Sequence, residues 1–147
     1  MKRLIYSLIA LAAIFAIESC ESLGKDGDWD PIELDNQHVT FPPSGGQVTV
    51  SALNYSKWWI SGGYNSAWKV SDHWEYHGYV PPTSSDGEEA CTNDILDGDW
   101  FHVTVPDKGR SNTVVITVDL HYDASIRTGA VEMTVGDAFT TIIITQN

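Results

Sequence analysis

The chain has 147 residues, and its 8 basic against 20 acidic residues give a net charge of −12 at pH 7. That balance argues against nucleic acid as a partner, which needs clustered lysine and arginine, and against electrostatic adhesion to anionic lipid. Two cysteines, Cys20 and Cys91, are too few for a disulfide framework.

Residues 1–19 read as a secretory leader. Lys2 and Arg3 precede an uncharged run from Leu4 to Ile17, followed by Glu18, Ser19 and Cys20. The run is shorter than the roughly 20 apolar residues a membrane-spanning helix needs. The segment before Cys20 resembles a bacterial lipobox in Ile17 and Ser19, with Glu18 departing from the usual small residue. The resemblance implies lipidation of Cys20, and thus a protein held by acyl chains at the outer membrane, on the cell surface of a Gram-negative bacterium. Removal of the leader takes Lys2, Arg3 and Glu18 with it and leaves a charge of −13. Cys91 is then without a disulfide partner. Its neighbours Glu88, Glu89 and Asp94 suppress a thiolate, so it reads as an inert buried thiol.

Residues 20–31 form a flexible tether of Gly and Asp with no apolar periodicity. Asp26, Asp28 and Asp30 alternate as in a calcium loop, but Pro31 stands where that loop needs Gly and Gln37 where it needs Glu. Acidic residues soon after a lipidated cysteine resemble the surface-export signal of gut-bacterial lipoproteins.

From residue 32 to 147 the chain reads as one all-β domain. Its segments are short, β-branched and separated by Gly, Pro, Asn and Asp. His38–Phe41 ends at the turn Pro42-Pro43-Ser44-Gly45-Gly46. Gln47–Leu53 places Val48, Val50 and Ala52 on one face. In Lys57–Ile60 the adjacent Trp58 and Trp59 must point to opposite faces, so only one is core. Thr113–Tyr122 sets Val114, Ile116, Val118, Leu120 and Tyr122 on one face. Ala130–Val135 sets Val131, Met133 and Val135 inward, with Glu132 and Thr134 outward. Phe139–Gln146 carries Ile142, Ile143 and Ile144. Short antiparallel strands with one apolar face predict a two-sheet sandwich.

Several features recur in a familiar order: Gly45-Gly46 before an alternating strand, Asn54 to Trp58, Trp100 opening a strand, Pro106, Arg127-Thr128-Gly129-Ala130, and a final strand ending in Thr145-Gln146. Together they resemble the BACON (Bacteroidetes-associated carbohydrate-binding, often N-terminal) domain family over residues 32–147. The resemblance implies an immunoglobulin-like β-sandwich, export, and binding of polysaccharide or mucin glycan. One departure is the distance of about forty residues between Trp59 and Trp100, which marks residues 62–99 as an aromatic-rich insertion. Trp58, Trp100 and Arg127 read as structural. Arg127 is placed to pair with a carboxylate and to lie across an aromatic ring.

The insertion holds the candidate ligand-binding residues Trp68, Trp74, Tyr76 and Tyr79. A pyranose is apolar on its faces and polar at its rim, so flat rings beside hydroxyls and amides suit it. The competing reading is that these rings pack as a satellite core. His73 and His77 would stand about 13 Å apart on a strand, too far to share a zinc ion. Asp94, Asp97 and Asp99 are candidates for a structural calcium, although turn chemistry at Asp97-Gly98 explains them equally well. No other cofactor is implied. The chain has no Gly-x-Ser-x-Gly elbow and no phosphate loop. The sequence therefore predicts a non-catalytic protein whose partner is a glycan or, as the alternative, a protein of an outer-membrane uptake or adhesion assembly.

Overall fold

The structure, a computed structural model, describes residues 29–70, 73–85, 93–123 and 125–147. The leader, Cys20 and Cys91 lie outside the described residues, as do the side chains of residues 69, 70, 73 and 74. Nine strands are described: β1 (His38–Phe41), β2 (Gly46–Ser51), β3 (Trp59–Val70), β4 (His73–Val80), β5 (Ile95–Asp97), β6 (Phe101–Thr104), β7 (Thr113–Val118), β8 (Arg127–Thr134) and β9 (Phe139–Gln146). They form a five-stranded sheet in the order β1-β9-β8-β3-β4 and a four-stranded sheet in the order β2-β7-β6-β5. The all-β sandwich expected from the alternating pattern is present. One pairing departs from the antiparallel expectation, because β1 runs parallel to β9, with His38 opposite Ile143.

The core lies between the sheets. Val50 of β2, Val114 and Ile116 of β7, Phe101 and Val103 of β6, Val131 and Met133 of β8, and Ile142 and Ile144 of β9 are all buried. Burial of each large side chain contributes about 1.5–3 kcal/mol. Of the adjacent tryptophans, Trp58 is the core residue and Trp59 is half-buried. The described residues between 62 and 99 contribute to both sheets. Their first part continues β3, where Gly62, Gly63 and Tyr64 pair with Glu132, Val131 and Ala130 of β8. Their last part supplies β5.

One strand expectation is corrected by hydrogen bonding. β7 ends at Val118, because the Asp119 carbonyl accepts from the Gln146 amide and the Arg127 guanidinium. Leu120 and Tyr122 therefore leave the sheet and are exposed, Tyr122 at 90%. Thr134, set outward beside the inward Met133, is buried all the same. Its hydroxyl is 2.8 and 2.9 Å from the carbonyls of Gly136 and Ala138, closing the turn into β9.

One end of the sandwich is tied by a single side chain. The fully buried Gln146 amide nitrogen donates toward the carbonyls of Pro42, Pro43 and Asp119 at 3.0, 3.2 and 2.8 Å. Its oxygen accepts from Arg127 Nε at 2.8 Å. Arg127 lies over Trp100 at 4.5 Å from the ring centroid, as expected. Its hydrogen-bond partners are the Gln146 amide oxygen and the Asp119 main-chain carbonyl, in place of the expected carboxylate. Arg127 is half-buried, and partial burial lowers its pKa from the ordinary value while the nearby Asp119 carboxylate opposes that shift.

On the outer face of the four-stranded sheet, His102 stands between two carboxylates. Nδ1 is 3.0 Å from Asp97 and Nε2 is 3.4 Å from Asp119. The hydrogen bond to Asp97 is the main cause that raises the imidazole pKa above its ordinary 6.5; Asp119 adds to it and partial burial opposes it.

Two predictions follow from these contacts. Gln146→Leu keeps the volume but removes a donor from three carbonyls, each of which keeps one other partner, and removes the acceptor of Arg127 Nε, and it is expected to cost about 2 kcal/mol in urea unfolding. A loss below about 1 kcal/mol would show that water replaces the amide without penalty. The raised His102 pKa adds stability that is fully present below pH 6.5 and is lost as pH rises through the folded-state value. The site is 41% exposed, so solvent screening holds the effect to roughly 0.2–1 kcal/mol. Unfolding of the His102→Gln variant, followed from pH 6 to pH 9, should lack this decline.

Candidate functional site

The outer face of the five-stranded sheet is unusually apolar and aromatic. Three consecutive isoleucines end in β9, and since Ile142 and Ile144 point to the core, Ile143 must point outward. It is nonetheless buried, packed with Ala67 and Ala130 beneath Tyr64 and Tyr76. Cross-strand pairing assembles this surface. Ala130 of β8 faces Ile143 and Glu132 faces Thr141, while Tyr64 of β3 faces Ala130 on one side and Tyr79 of β4 on the other.

The β3–β4 hairpin does not continue this face flat. Tyr64 and Ala67 are three residues apart and strict alternation would set them on opposite faces, yet both pack on Ala130 and Ile143. The alternation breaks at Asn65 and Gly78. The Asn65 carbonyl accepts from Trp100 Nε1 at 3.1 Å, and its side chain bonds Asp99 at 2.9 Å and accepts from the Asp99 amide at 3.2 Å. Across the ladder Gly78 adopts φ 69°, a left-handed conformation that glycine takes without steric cost. Beyond this point the hairpin curls over the outer face. Tyr76 comes within 4.3 Å of Tyr64, centroid to centroid, and Tyr79 lies 5.6 Å from Tyr64 edge-on. Tyr79 also covers Gly62, where a β-carbon would come within 2.6 Å of its ring.

The curl produces a groove. Although β4 and β1 are at opposite edges of the sheet, Tyr76 and His38 line the same hollow, with Gln37, Phe139, Thr140, Thr141 and Ile143. Its volume of about 540 Å³ falls within the range of roughly 300–1,000 Å³ common for ligand sites. The lining combines rings, an aliphatic floor, hydroxyls, an amide and an imidazole. Phe139 is 58% exposed at the mouth. Tyr64 beneath Tyr76 is kept neutral: burial first, then the Glu132 carboxylate, pushes its phenol above the ordinary value of 10.0.

The sequence-predicted residues are thus separated. Tyr76 lines the groove, and Tyr79 extends the aromatic row from it through Tyr64. Trp68 lies on the opposite face of the hairpin from Ala67 and Tyr76, stacked flat on His77 at 3.8 Å. The Trp74 side chain lies outside the described residues. Phe139, Thr141, Gln37 and His38 were missed by sequence reasoning. The signal that could have found them is the run Ile142-Ile143-Ile144, which leaves an isoleucine on a face that ought to be polar.

The three aspartates considered for calcium go to separate partners. Asp94 is buried and accepts from the Ser85 amide and hydroxyl at 2.8 and 2.6 Å. Asp97 meets His102, and Asp99 meets Asn65. Among the described residues no group of three or more His, Cys, Asp or Glu is placed to hold a metal ion. No helix among the described residues is long and apolar enough to cross a membrane. A second hollow of about 350 Å³, lined by Trp29, Tyr55, Ser56, Lys57, Trp59 and Val135, lies where the described chain begins.

No protein-family model matches the chain, and no curated protein matches it. Among solved structures it is similar to the NMR structure of a protein from Bacteroides thetaiotaomicron, with a TM-score of 0.54 and 19% identity, over 87% of this chain and 96% of that one. At that identity the likeness speaks to the fold.

Proposed function

We propose that the chain is a non-catalytic, lipid-anchored surface protein that binds carbohydrate in the groove under the β3–β4 hairpin. The observation that carries this reading is the groove's lining, where Tyr76 and Phe139 offer ring faces beside Thr141, Gln37 and His38. A sugar ring suits that combination, with flat apolar contact for its C–H faces and hydrogen-bonding groups for its hydroxyls. Tyr76 is backed by Tyr64 and Ala67, so little side-chain entropy is lost when a ligand stacks on it. The resemblance to BACON domains points the same way. Anchoring rests on the leader and Cys20, which precede a domain whose described chain starts at Trp29.

A second reading, docking of a protein partner, is favoured by one observation. The loop after β7 exposes Leu120, Tyr122 and Ile126 at 50, 90 and 68%. Large apolar and aromatic side chains on a loop suit an interface anchor.

On the first reading, Tyr76→Ala with Phe139→Ala lowers retention on polysaccharide gels at least about 10-fold, the equivalent of 1.4 kcal/mol. Phe139→Ala alone should change the unfolding midpoint little, whereas Tyr76→Ala uncovers Ile143 and lowers it, so retention is compared well below the midpoint of the double variant. Tyr122→Ser with Ile126→Ser leaves retention unchanged. Retention that survives the first pair and fails with the second would transfer the function to the loop. For anchoring, Cys20→Ser should release the protein from the membrane fraction. A variant that stays membrane-bound would remove Cys20 as the anchor.

A further inference from the structure

We infer that the groove selects uncharged polysaccharide and rejects glycans bearing carboxylate or sulfate. This deepens the carbohydrate reading above and rests on it. Recognition of an anionic glycan is favoured by a lysine, an arginine or a protonated histidine at the site, since a charge-assisted bond offsets the cost of dehydrating the anion. The lining supplies no lysine or arginine: Gln37, Thr140 and Thr141 are neutral donors and acceptors, Tyr76, Phe139 and Ile143 are apolar surface, and the His38 imidazole is charged only when protonated. The described basic side chains are placed elsewhere. Lys57 lines the hollow beside Trp29, Arg127 lies over Trp100, and Lys108 and Arg110 belong to the turn that begins at Pro106.

A carboxylate takes the place a cation would need. Glu132 of β8 is the cross-strand partner of Thr141 and shares its outward face, on the flank of the groove. Its field reaches the aromatic row, where it adds to burial in raising the Tyr64 phenol pKa. Around it the whole chain carries −12. A polyanion approaching this face meets like charge at long range, and among the described lining residues it finds no lysine or arginine at short range. A neutral chain meets neither penalty.

The test compares one neutral polysaccharide that the full-length protein retains with its carboxymethylated derivative, so that backbone and linkage are held constant. Binding of the derivative is expected to be at least about 10-fold weaker near 0.01 M salt. The gap should narrow toward 1 M salt, as the screening length falls from about 30 to 3 Å. Glu132→Gln should raise binding of the derivative and leave the neutral polymer unchanged. Equal or tighter binding of the derivative at low salt would overturn the selectivity and leave carbohydrate binding standing. Failure to retain any neutral polymer of a panel, or its derivative, would overturn the carbohydrate reading and the selectivity with it.

Discussion

The amide of Gln146 is the contact on which the rest of the molecule depends. It sits fully buried at the end of the last strand and reaches residues more than a hundred positions earlier in the chain, at Pro42 and Pro43. Three main-chain carbonyls, each also accepting from Gly45, His121 or Arg127, converge on its nitrogen, and its oxygen orients Arg127. Such a group is costly to bury unless satisfied, and here the corner of the β1–β2 turn, the end of β7 and the start of β8 satisfy it together. Hydrophobic burial brings the sheets together without direction. The amide fixes which carbonyls meet, and so the register of the ends.

From this pin a chain of contacts leads to the groove. Gln146 holds Arg127, Arg127 covers Trp100, and the Trp100 indole donates to the Asn65 carbonyl. That carbonyl is turned out of a regular ladder at the place where β3 loses its alternation. The curl of the hairpin, and with it the position of Tyr76 over Ile143, follows from this break. The groove is therefore a property of long-range packing, although it is lined by residues from the strands themselves. This makes it a preformed surface built on rigid elements, with low ordering cost for a ligand.

The sequence made the sandwich legible because alternation survives in it: Val114, Ile116 and Val118 point to the core, as do Val131 and Met133. Strand geometry required that only one of Trp58 and Trp59 be core, and ring chemistry that Arg127 lie across an aromatic ring; the structure supplies Trp58 and Trp100. The site was legible only in part. Tyr76 was singled out by its aromatic setting, but Trp68, equally conspicuous, belongs to the other face of the hairpin. Nothing in local pattern tells these faces apart, since the break at Asn65 and Gly78 shifts the alternation between Tyr64 and Ala67. The parallel pairing of β1 with β9, which brings Gln37 and His38 to Phe139, leaves no periodic trace. Nor does the reach of Gln146, whose partners are main-chain carbonyls that every residue possesses.

The central claim is that the concave outer face, and no other surface, meets the ligand. The most direct test is to follow the backbone amide NMR signals of the isotope-labelled protein during titration with a neutral oligosaccharide. The account predicts shifts concentrated at Gln37, His38, Tyr76 and Phe139 through Ile143, with the signals around Trp68 and the Leu120–Ile126 loop unmoved. Shifts centred on that loop or on the Trp68–His77 stack, with the groove silent, would contradict it.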